Sequence, residues 1–350
     1  MTGRFMCSAV FAAQLLAQES HAIRFRENPL ISTTSSKSLG DNINGPSVIR
    51  VPEWINHPLG RYYMYFAHHK GSYIRLAYAN SLRGPWRIYE PGVLDVRDTI
   101  FNRPQPDPPL SNFYTHVASP EVFIDEQNRQ LLMYVHGLWT DQQRLPSDAD
   151  AASKWMQTKG YAQFTQAMVS RDGIHFQGRP LVALKTSYLR VFQWKGTTYG
   201  MARLGLLARA KTPAGPFELG PNPFDGTTYA QRVRHVALLV KNDTLYVFFS
   251  AIGDTPERIL FTTIALNDDW SQWSVSPPVE ILAPREWYEC VQLPAVASKV
   301  GESEGSERAL RDPALFAENN KLFLFYSVCG EQGIGGAEII SLIPSLGPRK

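Results

Sequence analysis

Short apolar runs rich in aromatic and β-branched residues alternate along the chain with turn residues. The stretch RALRDPALFAENNKLFLFYS shows the layout: an apolar run, the turn residues Asn319 and Asn320, and an aromatic run. Runs of this length and composition predict β-strands rather than helices. The triplets ENN, WKG and KND are typical of hairpin loops. The chain is therefore predicted to form a series of antiparallel hairpins.

The hairpin pattern recurs five times along the chain. After each of the first four copies come an apolar strand, a polar turn and an aromatic residue, namely Trp86, Phe176, Phe217 or Trp273. Units of three to four antiparallel strands that repeat at tens of residues are typical of propeller blades. The pattern predicts an all-β protein, a five-bladed β-propeller. Its inner strands are expected to begin near Ser47, Val122, Tyr188, Val236 and Ala314.

The fifth copy ends on GIGGAEII and lacks an outer strand. We expect the segment from Ile23 to Ile31 to supply it, because closing the ring removes an exposed sheet edge. This gives a single propeller domain over residues 23–350, preceded by residues 1–22 as a signal peptide or a disordered leader. The leader has one Arg, a short apolar stretch and small residues at its end, the features of a weak secretory signal. We expect a secreted or periplasmic location, with a cytoplasmic one left open.

Composition narrows the classes of partner. The net charge is +3 and no basic cluster interleaves with aromatic residues, so nucleic acid is not expected as a partner. No apolar run is long enough to span a bilayer. Cys290 and Cys329 are predicted to be free buried thiols, with a disulfide between them as the alternative. Residues 95–112 and 140–159 are predicted to be loop insertions of a length that is often functional. The sequence leaves the oligomeric state open.

In a propeller, the residues just before the inner strands converge on a funnel at one face. Those positions are polar here, whereas the residues after them are apolar, as a ligand site on this architecture requires. The polar set consists of Asp41, Asn42, Asn44, His116, Ser119, Tyr188, Arg190, Arg234, His235, Arg311 and Asp312.

The five-blade layout and the proline-led strand starts resemble the five-bladed glycoside hydrolases, the clan around families 43 and 32. That resemblance implies an Asp-Pro base in blade one, a second Asp in blade two and a Glu acid in blade three. Here blade one has Asn44-Gly45-Pro46, blade two has Ala118-Ser119-Pro120, and blade three has no acid. Arg311-Asp312-Pro313 is similar to the Arg-Asp-Pro element of the invertase-like members, though in a different blade. The catalytic roles therefore do not transfer by position.

Glycoside hydrolysis needs two carboxyl groups with different tasks. Asp312 stands in the best position, and pairing with Arg311 would keep it ionised. Glu289 lies between Trp287 and an apolar stretch, an environment that favours an acid. The candidate catalytic residues are Asp312, Glu289 and Asp41, and for each a purely structural role, such as a turn device, remains the alternative. The other acids near the predicted funnel are Glu121, expected to point away from the channel, Asp254 and Glu331.

The remaining polar residues are candidates for substrate contact: Asn44, His68, His116, Arg190, Arg234, His235 and Arg311. Either His68 or His69 is expected to face inward, and His136 is interpreted as structural. No metal ligand set is predicted, although the resemblance implies that a central calcium could be held in the channel. The expected function is cleavage of an O-glycosidic bond in a carbohydrate. A non-catalytic carbohydrate-binding propeller is one alternative, and a phosphorylase that uses Arg190, Arg234 and Arg311 is the other.

Overall fold

The computed structural model describes residues 21–102, 115–139 and 162–342. The predicted insertion at 140–159 and most of the one at 95–112 lie outside these ranges. The strands, in chain order, are β1 (Ala22–Arg24), β2 (Ile31–Ser32), β3 (Asn44–Arg50), β4 (Tyr62–Ala67), β5 (Tyr73–Ala79), β6 (Arg87–Asp95), β7 (Ala118–Asp125), β8 (Gln130–Trp139), β9 (Ala162–Ser170), β10 (Gln177–Leu184), β11 (Arg190–Trp194), β12 (Thr197–Met201), β13 (Leu207–Ala210), β14 (Glu218–Leu219), β15 (Val233–Lys241), β16 (Thr244–Ala251), β17 (Ile259–Ala265), β18 (Val279–Leu282), β19 (Arg311–Glu318), β20 (Lys321–Val328) and β21 (Gly333–Ile339). Short 3-10 helices span Lys37–Leu39, Val96–Asp98, Arg203–Gly205, Trp270–Gln272 and Trp287–Glu289.

These strands form five antiparallel sheets arranged as the blades of a propeller, which confirms the predicted fold. Blades one to four are β3–β6, β7–β10, β11–β14 and β15–β18, each in simple meander order. The inner strands β3, β7, β11, β15 and β19 contact one another around the ring.

Blade five is closed by the N-terminal segment, as predicted. The strand order is β1-β21-β20-β19, with Ile23 opposite Glu338, and β2 also pairs with β21 through Ile31 and Ile334. His21 is already part of this arrangement, because its carbonyl accepts the backbone N–H of Ile340 at 3.0 Å. His21 therefore already contacts blade five, two residues before the expected boundary at residue 23. Residues 1–20 of the expected leader lie outside the described ranges.

Each sheet is buried on both faces, because an apolar core lies between every two consecutive blades. Five such clusters are found among the described residues. The arrangement explains why β4, with the sequence YYMYFA, is buried at every position and does not alternate.

The inner hairpins of blades three, four and five use two-residue turns with positive φ at both positions. The turn residues are Lys195 and Gly196, Asn242 and Asp243, and Asn319 and Asn320. This backbone is that of type I′ turns, whose twist matches the twist of the strands. The prediction of hairpins at WKG, KND and ENN is confirmed.

Cys290 and Cys329 form a disulfide, so the prediction of free thiols was wrong. The two residues are 39 positions apart in sequence, and their spacing alone gave no sign that the fold brings them together. No helix in the described part of the chain is long and apolar enough to cross a membrane.

Candidate functional site

Four inner strands begin with the same irregularity. The pairing of β3, β7, β15 and β19 with the next strand shifts register between the first and fourth residues, for example between Arg311 and Ala314. The predicted starts at Ser47, Val236 and Ala314 mark the residue after this bulge, so the strands begin earlier than expected. β11 instead begins at Arg190, just after the predicted start. Bulges of this kind re-aim side chains at the rims of closed sheets.

The second residue of the irregularity has a left-handed backbone in three blades: φ is 62° at Gly45, 47° at Ser119 and 50° at Asp312. Tyr188, just before β11, has φ 60°. A side chain at Gly45 would approach the Cα of Ser119 at 3.2 Å, so neighbouring blades come close together at this level. Non-glycine residues in this conformation cost roughly 1–3 kcal/mol each and cluster at functional sites. Ser119, Tyr188 and Asp312 are residues of this kind that precede or begin inner strands.

Arg190 occupies the axis of the channel. Its guanidinium donates to the carbonyl oxygens of Pro120 at 2.9 Å, Val236 at 3.2 Å and Pro46 at 3.4 Å, and it pairs with the Glu121 carboxylate. Glu121 therefore faces the channel, contrary to the expectation that alternation would turn it away, because the bulge shifts the phase of β7. Arg190 thus links four blades, and its guanidinium donates to acceptors of the protein.

A central calcium does not fit this channel. The carbonyl oxygens that could ligate a cation on the axis already accept hydrogen bonds from the positively charged Arg190. Among the described residues no group of three or more His, Cys, Asp or Glu side chains is placed to hold a metal ion.

Asp312 and His235 meet beneath the funnel opening. Asp312 is 1% exposed; its Oδ1 contacts His235 Nδ1, and its Oδ2 accepts a hydrogen bond from Ser327 Oγ at 2.9 Å. No backbone N–H among the described residues donates to this carboxylate. Interpreting Asp312 as a turn residue requires such a hydrogen bond, so the contacts do not support that interpretation. His235 stands where three of the other blades have Pro46, Pro120 and Pro313. That substitution is the sequence signal that singles it out.

His235 is held as a neutral ring. Burial, together with the charges of Arg234 and Arg190, lowers its pKa well below the usual value. Nδ1 is the nitrogen in contact with the Asp312 carboxylate, and a neutral imidazole with its proton on Nδ1 carries its lone pair on Nε2. That Nε2 is buried and has no hydrogen-bond partner among the described residues. Its ring packs edge-on against Tyr188, with centroids 4.0 Å apart.

Two further histidines, His136 and His116, extend the contact between the His235 and Tyr188 rings into a row of four rings. His136 lies 4.3 Å from the Tyr188 ring and 5.9 Å from the His116 ring, between centroids. Burial lowers the pKa of His136 well below its usual value, and the neighbouring His116 lowers it further. The rings of His116, His136, Tyr188 and His235 thus form a row across the funnel. The structure brings His136, interpreted as structural, together with the candidate residues.

Glu331 forms a second buried centre beside the row. Its Oε2 accepts from Asn42 Nδ2 at 2.6 Å and Asn44 Nδ2 at 3.1 Å, while its Oε1 lies 3.5 Å from His69 Nδ1. Burial alone would raise its pKa, but His69 and the charge of Arg311 outweigh burial and lower the pKa to about 2. Glu331 is therefore ionised and fixed in place, and Asn44 serves as its support.

A chain of alternating charges extends from Glu331. Arg311 approaches three carboxylates: Glu257 at 2.9 Å, Glu307 at 2.5 Å and Glu331 at 3.4 Å. Glu257 in turn accepts from Arg234 Nε at 2.7 Å. Arg234 also donates to the carbonyl oxygens of Lys299 and Gly301, the latter at 2.9 Å. Arg190, Arg234 and Arg311 are all engaged by protein acceptors, so the cluster expected to bind phosphate has little donor capacity left.

The structure does not bring Glu289 to the funnel. Its carboxylate pairs with Arg24 of the outermost strand β1 at 2.7 Å and accepts the backbone N–H of Arg285 at 2.7 Å. It also accepts from the Tyr326 hydroxyl at 3.1 Å. The aromatic neighbours suggested an acid site, but the partner Arg24 lies 265 residues away in sequence. Glu289 holds blade five closed.

Asp41 and His68 lie together at the rim. Asp41 is 95% exposed and its Oδ1 is 3.1 Å from His68 Nε2. Burial lowers the pKa of His68, although the bond to Asp41 opposes that effect. His69 is the inward member of the histidine pair, since it contacts the buried Glu331 and lines the funnel cavity.

A cavity of about 150 Å³ opens at the funnel above these centres. It is lined by His69, Gln163, Tyr188, Arg203, Val233, Arg234, Ile252, Val300 and Gly301. Of these, Gln163 and Arg203 were missed as site residues, because they lie at the ends of second or third strands rather than before inner strands. No carboxylate lines the cavity among the described residues.

No protein-family model matches the chain. A curated relative, the uncharacterized protein R118 of Acanthamoeba polyphaga mimivirus, is 31% identical over 363 aligned positions, which cover 96% of each chain. The chain belongs to the family of this viral protein.

Solved structures of low identity share the propeller fold of this R118-like chain. A putative glycoside hydrolase from Bacteroides ovatus superposes with a TM-score of 0.58 at 11% identity, covering 91% of this chain and 96% of the other. CoXyl43, a family-43 β-xylosidase/α-arabinofuranosidase from a compost metagenome solved with xylotriose, gives 0.55 at 12% identity, covering 93% and 96%. A family-43 enzyme from Xanthomonas citri complexed with xylose gives 0.54 at 12%, covering 94% and 93%. At these identities the likeness establishes the five-bladed fold.

Proposed function

We propose that the protein is a glycosidase-like enzyme that binds a carbohydrate at the funnel and cleaves its O-glycosidic bond. The observation that carries the proposal is the buried Asp312–His235 pair, whose imidazole packs against Tyr188 of the cavity lining. A carboxylate that fixes one imidazole nitrogen leaves the other as a proton-transfer group, the arrangement that general acid–base catalysis requires. The propeller fold shared with glycoside hydrolases supports a carbohydrate as the ligand.

The roles follow from the contacts. His235 Nε2 takes a proton from the water that attacks the anomeric carbon and returns it to the leaving oxygen as the C–O bond breaks. Asp312 is a positioning residue that holds the Nδ1 proton and the ring orientation. Tyr188 packs edge-on against the His235 ring and also lines the cavity, so the pair lies next to a bound sugar. Glu331, ionised and close to His69, adds a fixed negative charge that would favour an oxocarbenium-like transition state.

Cavity size bears on the mode of action. At about 150 Å³ it is smaller than the roughly 300–1,000 Å³ of pockets for drug-sized ligands. A space of this size holds one sugar ring rather than a chain of several. We therefore expect removal of a terminal residue.

The test is a screen of purified protein against aryl glycosides and against xylo- and arabino-oligosaccharides, with binding and turnover measured separately. We expect at least one substrate to turn over, and His235→Gln to lower kcat about 100-fold or more while binding persists. His57→Gln removes an exposed histidine and serves as the control. Saturable binding without turnover by the wild type would instead support the non-catalytic carbohydrate-binding alternative. Absence of both would overturn the proposal.

We also propose that the protein is exported. The Cys290–Cys329 disulfide supports this, because disulfides persist in oxidising compartments and are rare in the cytosol. Fractionation of the native source with thiol titration tests it, and recovery in the cytosol with both thiols free would contradict it.

A further inference from the structure

We infer that the funnel cavity recognises an acidic sugar, one whose carboxylate binds the Arg203 guanidinium. The inference rests on the proposed function and names its substrate class, a uronic acid or a glycan that ends in one. The first observation is electrostatic. The residues that line the cavity include two arginines and His69 but no carboxylate among the described residues.

Arg203 differs from the other arginines around the funnel. Arg190, Arg234 and Arg311 each donate to carboxylates or carbonyl oxygens of the protein. The Arg203 side chain has neither a hydrogen-bond acceptor nor an ion-pair partner within residues 21–102, 115–139 and 162–342. It is half-buried in the cavity wall. Its guanidinium is therefore open to the cavity, and a ligand anion can accept charge-assisted hydrogen bonds from it.

The backbone holds Arg203 in place independently of its side chain. Its N–H donates to the Ser187 carbonyl at 2.9 Å, which ties it to the residue before Tyr188. The next residue, Leu204, has φ 64°, and its carbonyl accepts from Asn222 Nδ2 at 2.9 Å. The 3-10 helix Arg203–Gly205 therefore presents the guanidinium from a fixed platform. Its substitution should leave the fold intact.

The positive charge of Arg203 contributes to the electrostatic potential inside the funnel. Burial is the main cause of the lowered pKa of His136, but Arg203 is also among the cations that repel a proton there. An anion placed beside Arg203 would meet that positive field with no opposing carboxylate on the cavity lining. Electrostatic complementarity of this kind favours one charge type of ligand over another.

Charge favours a carboxylate over a phosphate group. One guanidinium balances one singly charged carboxylate in a bidentate pair, whereas a phosphate dianion would call for a second free cation. Arg234, the other arginine of the lining, is neutralised by the fully buried Glu257. Gln163 on the lining adds a neutral amide that can bind the sugar hydroxyls.

The experiment measures binding by calorimetry for glucuronic and galacturonic acid, for glucose and xylose, and for glucose 6-phosphate and glucose 6-sulfate. Wild type is compared with Arg203→Gln, Arg203→Lys and Arg87→Gln. Arg87 is an exposed arginine on the outer strand β6, so its loss changes the net charge equally without touching the funnel.

We expect the uronic acids to bind wild type and the Arg87→Gln variant alike. Arg203→Gln should weaken that binding roughly 10- to 100-fold, as loss of a charged hydrogen bond does, and Arg203→Lys should restore part of it. Stronger binding of the neutral sugars than of the uronic acids would overturn the inference and leave the proposed function standing. Preference for the phosphate or sulfate would overturn the carboxylate assignment. If no sugar of any charge binds, the proposed function fails as well.

Discussion

Asp312 and His235, from the inner strands of adjacent blades, contact each other through Oδ1 and Nδ1 and are both buried. Asp312→Asn keeps the shape but removes the charge that fixes the imidazole proton on Nδ1. We expect kcat to fall about 100-fold or more, with little change in KM, because the wrong tautomer cannot transfer the proton. Asp269→Asn, an exposed carboxylate that caps a 3-10 helix, is the matched control. A destabilised Asp312→Asn variant with full turnover would assign Asp312 a structural role.

Arg311 should be a structural residue. It is 1% exposed and approaches Glu257, Glu307 and Glu331. Removing one partner of a buried ion pair costs roughly 3–5 kcal/mol, because the other charge stays buried. We expect Arg311→Met to lose stability on that scale in urea unfolding. Arg97→Met, at an exposed pair with Asp95, should change stability by less than about 1 kcal/mol. If Arg311→Met keeps full stability but no longer binds an added anion, the phosphate-binding role would return.

The buried histidines predict acid sensitivity. Burial and the neighbouring His116 hold the pKa of His136 well below its usual value, so the folded protein binds no proton there. The unfolded chain does bind one below about pH 6.5, so stability falls as pH drops, by up to roughly 1.4 kcal/mol per unit. His136→Phe removes that proton, and urea unfolding at about pH 7 and about pH 5 should show a smaller loss than in wild type. His57→Asn, at an exposed site, should leave the loss unchanged. An equal loss in His136→Phe would contradict the assignment.

The repeat could be read from the sequence because it is local. Hairpins with NN, ND or KG turns are specified by adjacent residues, and burial on both faces makes each strand a short apolar run. Closure by the segment around Ile23 could also be predicted, because the last blade lacks an outer strand and its exposed sheet edge needs a partner strand.

The site was less accessible to sequence analysis because its contacts are long-range. Glu289 had aromatic neighbours in sequence, yet its charge partner is Arg24, at the other end of the chain. Alternation failed for Glu121 because a bulge shifts its strand. His68 and His69 follow the end of β4 at Ala67, so the alternation of side chains along a strand does not decide which of them faces inward. Arg203 carries no local signal at all, since only the fold shows that it has been left without an acceptor.

The disulfide should stabilise the segment that bears Glu331. Cys329 lies two residues before it and is tied to Cys290, 39 residues away in sequence. A loop of this length predicts a loss of roughly 4 kcal/mol when the bond is removed. We expect Cys329→Ala to lower the melting temperature, and reductant to do so in wild type but not in the variant. Equal melting of oxidised and reduced wild type would contradict this.

Ring closure gives the last prediction. Phe25 follows β1, is 2% exposed, and packs edge-on against Phe325, with centroids 6.2 Å apart. Ile23, on the same segment, is 53% exposed. Truncating a buried phenylalanine costs about 3–5 kcal/mol, whereas an exposed apolar residue has little burial to lose. Phe25→Ala should therefore lower the free energy of unfolding on that scale, and Ile23→Ala should change it by less than about 0.5 kcal/mol. Both are measured by urea unfolding.

Deletion of residues 23–31 should cost at least as much as Phe25→Ala, because it also removes the pairing of β1 and β2 with β21 and exposes a sheet edge. If the deletion variant unfolds at the same urea concentration as wild type, the N-terminal segment does not close the propeller in solution.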